Sequence, residues 1–91
     1  MQNFKFDDAL DRIFVVYDSE QKGVMVTQLM DEDSGCRYSV ETAGMTTKLR
    51  KWVPHQGRAH VVATYRSSSK ENARKKHWGV VGFVQREAAN V

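Results

Sequence analysis

The sequence is poor in the residues that staple or anchor a chain. It has one cysteine and one proline in 91 residues. A lone thiol, Cys36, forms no intrachain disulfide, so a reducing compartment, the cytoplasm, is expected. The longest apolar run, Ile13 to Tyr17, falls far short of the roughly 20 residues that span a bilayer. The N-terminal MQNFKFDDALDR lacks a basic stretch followed by an apolar one, so neither a signal peptide nor a membrane partner is expected. Met1 and the far terminus read as the ends of a small complete reading frame. No glycine-rich phosphate loop is present, and no cysteine or acid accompanies His55, His60 or His77 at metal-ligand spacing. No cofactor, no metal and no catalytic residue is therefore expected.

What is present fits one domain over residues 1–91, with the last few residues frayed. The chain is 41% hydrophobic and 27% charged, ordinary values for a folded protein. The charge is unevenly distributed. Residues 1–45 carry four Lys and Arg against nine Asp and Glu, a net of −5, and residues 46–91 carry ten against two, a net of +8. That asymmetry points either to an anionic partner for the second half or to acid–base pairing within the fold or between copies.

The pattern of side chains predicts mainly antiparallel β structure, an α+β fold. Phe6, Leu10, Ile13, Phe14 and Tyr17 keep helical spacing, yet Ile13–Tyr17 is β-branched and aromatic. A short helical turn near 5–11 running into a strand near 12–18 reconciles the two. Asp18–Gly23 reads as a turn, Val24–Met30 as a strand, Asp31–Gly35 as a turn and Cys36–Glu41 as an alternating strand. Cys36 takes a core position in that alternation. Met45, Leu49, Trp52 and Val53 fall at i, i+4, i+7 and i+8, which predicts a helix over 43–53 stopped by Pro54 and Gly57. Arg58–Arg66 alternates as a strand. Residues 67–76 read as a connection and His77–Arg86 as a last strand, with Gly79 and Gly82 marking a bulge. Three strands, a helix and two strands resemble the order of elements in the OB-fold, a five-stranded barrel that binds nucleic acid or sugars. An open five-stranded sheet with a helix between strands 3 and 4 fits the same order.

The strongest chemical signal is the basic connection. Lys70, Arg74, Lys75 and Lys76 lie beside Arg66, His77 and Trp78, with Tyr65 adjacent. Cations hold phosphates and aromatic rings stack on bases, so these residues form a candidate nucleic-acid-binding set. The plainer explanation is a solvated loop with Trp78 in the core. The expected function is a small module for single-stranded DNA or RNA. One alternative is a non-catalytic protein of a mobile element or phage that binds another protein or self-associates, because the acidic half must be used or hidden somewhere. Another is a small metal-independent ribonuclease, since histidine with Arg, Lys and Tyr supplies the needed residue types. Asp31, Glu32 and Asp33 lack the ligand pattern of a calcium loop and read as a solvated turn.

Overall fold

The fold follows from a repeated hairpin rule: alternating segments joined by turns whose residues accept positive φ. A computed structural model describes residues 15–31, 35–53 and 57–89. The helical turn expected over 5–11 lies outside them, as do Asp7, Asp8, Asp11, Glu32, Asp33, Pro54 and His55. Among the described residues five strands run in chain order, β1 (Val15–Gln21), β2 (Val24–Met30), β3 (Arg37–Ala43), β4 (Thr46–Val53) and β5 (Arg58–Arg66). Each pairs antiparallel with its neighbour in the order β1-β2-β3-β4-β5. One helix is found among the described residues, α1 (Lys70–Ala89), and it follows β5.

The β1–β2 turn is tighter than expected. Asp18–Gln21 belong to β1, and only Lys22 and Gly23 bridge the strands, at φ 54° and 80°. Two consecutive positive φ values match the right-handed strand twist, as two-residue hairpins require. Gly44, φ 62°, opens the equally short β3–β4 turn.

Two expectations fail here, and together they overturn the OB-like order. Residues 43–53 are not a helix between strands 3 and 4; Thr46–Val53 is a central strand. Its i, i+4, i+7 coincidence also contains a period of two. Thr47 and Leu49 point to the core, whereas Lys48, Arg50 and Trp52 point away. Burial on one face of a sheet outweighs a weak helical pattern, and β-branched Thr46 and Thr47 suit the strand. The second correction is that 77–86 is helical, not a strand. Ala73, His77, Val80, Val81 and Val84 fall at i, i+4, i+7, i+8 and i+11, and all five are buried. Ser69 starts this helix: its Oγ accepts from the Asn72 backbone N–H at 3.1 Å. The helix therefore follows strand 5. The sheet stays open, with no β1–β5 pairing among the described residues.

Helix α1 lies across one face of the sheet over β3 and β4. Leu29, Val40, Leu49, Val80, Val81 and Val84 form the apolar core, flanked by Tyr38, Ala63 and Tyr65. Cys36 is only half-buried, at the entry to β3. No helix among the described residues is long and apolar enough to cross a membrane.

Candidate nucleic-acid interface

The basic run that the sequence places in a connection is the first two turns of α1. At 3.6 residues per turn its cations cannot share one side. Contacts with the sheet identify the two flanks. Arg74 reaches β1, donating to Glu20 at 3.0 and 3.3 Å. Trp78, one turn on, shares that flank. Lys76 reaches β5, its Nζ 5.1 Å from the Tyr65 ring centroid. Phe83, seven residues on, shares the Lys76 flank and is 48% exposed.

The β5 flank forms a groove of about 700 Å³ between α1 and the edge strand. Arg66, Lys75 and Lys76 line it with Tyr65, Phe83 and Gly79, and no carboxylate does so among the described residues. Asn72, Ser67 and Ser68 add amide and hydroxyl groups. The Asn72 amide donates to Ser68 Oγ at 2.8 Å, which fixes the entrance of the groove.

The β1 flank differs. Glu20 neutralises Arg74, and their hydrogen bond lowers the Glu20 pKa and raises that of Arg74. Lys70 is exposed and lines a separate hollow with Glu20, Lys22 and Arg74. Trp78 is 47% exposed, with its ring edge-on to His77 at a centroid distance of 4.9 Å.

His77 sits beneath these groups and is fully buried. Its Nε2 lies 2.8 Å from Thr27 Oγ1 and its Nδ1 2.8 Å from Thr42 Oγ1, which also bonds Thr47 Oγ1 at 2.8 Å. Burial lowers its pKa; Asp18 and Glu20 oppose that shift and Arg74 adds to it. The neutral ring donates at one nitrogen and accepts at the other, and the hydroxyls supply either role. His77 is thus the polar centre of the helix–sheet packing.

The seven residues singled out in sequence therefore separate. Arg66, Lys75 and Lys76 converge on one groove. Lys70, Arg74 and Trp78 stand on or near the other flank, and His77 lies between helix and sheet. Missed at the sequence level were Phe83 as a groove wall and, on the far side of the sheet, Arg37 with Trp52. The signal for Phe83 was present, since it is seven residues from Lys76, but it is legible only once the segment is known to be helical.

The far side carries Arg37, Lys48, Arg50, Trp52 and Arg66, assigned by their register opposite residues that face away from α1. The Arg37 guanidinium lies over the Trp52 ring, 5.1 Å from its centroid. Arg50 pairs with Glu41, the only carboxylate on this side among the described residues. Comparison with protein-family models, curated proteins and solved structures finds no match.

Proposed function

We propose that the protein is a non-catalytic module that binds single-stranded nucleic acid, with the α1–β5 groove as its contact. The observation that carries this reading is the lining of the groove. Three cations and two aromatic rings converge there with no acid among the described residues. The cations match a phosphate backbone, and the ring of Phe83 offers a stacking face worth about 1–3 kcal/mol per base. The half-exposed Trp78 also weighs against a helix whose aromatics serve only the core.

Labelled dT24 and U24, titrated by fluorescence anisotropy at 50 and 200 mM salt, test the reading. Binding that weakens with salt, and weakens further in Lys75→Glu/Lys76→Glu, is the expected result. Absence of binding at 50 mM salt overturns it.

A second reading, self-association, is supported by β5, an edge strand that pairs only with β4 among the described residues. Val61 and Val62 are 51% and 53% exposed there, and unpaired edges invite strand addition. Light scattering decides this point, because a monomer at all concentrations removes it.

A further inference from the structure

The far side of the sheet holds cations that the groove does not use, and they are continuous with it. Three hollows share lining residues in sequence. The groove shares Arg66 with a hollow lined by Glu41, Thr46, Lys48, Arg50 and Thr64. That hollow shares Arg50 with a third, lined by Gln28, Arg37, Ser39 and Trp52. The path starts on the helix side at Lys75 and Lys76, turns the β5 edge at Arg66, and ends on the open face at Arg37 and Trp52. Its six cations stand against one acid, Glu41, a net of +5 among the described residues.

We infer that the open face of the sheet is a second nucleic-acid surface, and that one flexible strand passes from the groove around the β5 edge to reach Trp52. The inference rests on the reading proposed above and extends its contact to a second face of the sheet. The two surfaces lie on opposite sides of one sheet, so a ligand touching both must fold back within a molecule only 35 × 34 × 23 Å across. A duplex, with a persistence length of about 150 base pairs, cannot do so, whereas a single strand can. Selection for single strands then comes from the shape of the track. Contact on both faces makes the second event intramolecular and raises affinity beyond either face alone. On the open face Arg37, Lys48 and Arg66 hold phosphates. Trp52 is half-buried under the Arg37 guanidinium at the end of the track, beside the Ser39 hydroxyl and the Gln28 amide, where a base would alter its emission; the Thr46 and Thr64 hydroxyls line the hollow before it.

The test uses the full chain, dT24 and a hairpin duplex of equal length, in 50 mM salt. Lys48→Glu lies outside the groove on a half-exposed surface position, and circular dichroism verifies its fold. The expected result is dT24 affinity reduced about five- to tenfold in this variant, with a shallower salt slope, and a hairpin bound at least tenfold more weakly than dT24. Trp78→Phe leaves Trp52 as the sole tryptophan, and dT24 should quench its emission. If wild type binds, Lys75→Glu/Lys76→Glu weakens binding, and Lys48→Glu and Trp52 emission are both unaffected, the inference fails while the groove reading stands. A hairpin bound as tightly as dT24 also overturns it. So does a Lys48→Glu protein that changes only its mass in light scattering, which would make the open face a contact between copies. If wild type binds nothing, both readings fall.

Discussion

At position 77 a titratable ring lies fully buried between three threonines. Charging it would not break its hydrogen bonds, because threonine oxygens accept from either nitrogen. Desolvation is the leading cause that disfavours the cation, and the Arg74 charge adds to it against the opposing pull of Asp18 and Glu20. The unfolded chain titrates near 6.5 and therefore binds more protons than the folded chain just below that pH. Stability is complete above about pH 6.5 and declines as pH falls from there toward the lowered folded value. Urea midpoints should thus drop between pH 7.5 and 5.5, and His77→Gln should show a smaller drop from a lower starting midpoint. Equal pH dependence in the two proteins would refute the assignment. The sequence shows a histidine next to a tryptophan and invites a binding role. The partners that occupy it, Thr27 and Thr42, are 50 and 35 residues away and become neighbours only through sheet pairing.

Helix α1 illustrates why an element can be misread from local pattern. His77–Arg86 contains glycines and β-branched valines, both poor helix formers. Its cap and its buried stripe outweigh them, since most helical stability in proteins comes from packing an apolar face. Two substitutions follow from this balance. Ser69→Ala removes the acceptor for the Asn72 N–H and should cost about 0.5–2 kcal/mol, read as a lower thermal midpoint. Gly79→Ala acts the other way. A Cβ there meets nothing within 4 Å, so the change should add about 0.5–1 kcal/mol and raise the midpoint by a few degrees. Gly79 also lines the groove, so the same methyl group should weaken dT24 binding. A higher midpoint with unchanged affinity would place the ligand elsewhere. Strand β4 is the converse case. Met45, Leu49 and Trp52 mimic a helical face, yet Met45 is exposed in a turn and Trp52 faces away from α1.

For the whole molecule, the charge asymmetry of the sequence has partly resolved into contacts. Glu20 meets Arg74 and Glu41 meets Arg50, each joining an acid of the first half to a cation of the second. What remains is sorted by surface, with the track from Lys75 to Arg37 left strongly positive. If that track binds a strand, its net of +5 predicts a salt slope near −3.5 for single-stranded DNA. Raising salt from 50 to 200 mM should then weaken dT24 binding by about 100-fold. A change under about threefold would mean that phosphates are not the main contact.

Some of this protein is fixed locally and some is not. Val24–Met30 and Arg58–Arg66 are legible as strands because alternation and neighbouring turn residues act over a few positions. The absence of cross-links and the basic second half are equally plain in composition. The tertiary structure decided the rest. Burial against β2–β4 selected helix over strand at 70–89 and strand over helix at 46–53, a choice that short-range spacing leaves balanced. It also divided one basic run among a groove, an ion pair and a buried network. Which way a side chain points depends on the element that carries it and on the face that element buries, and both are settled only when distant segments pack.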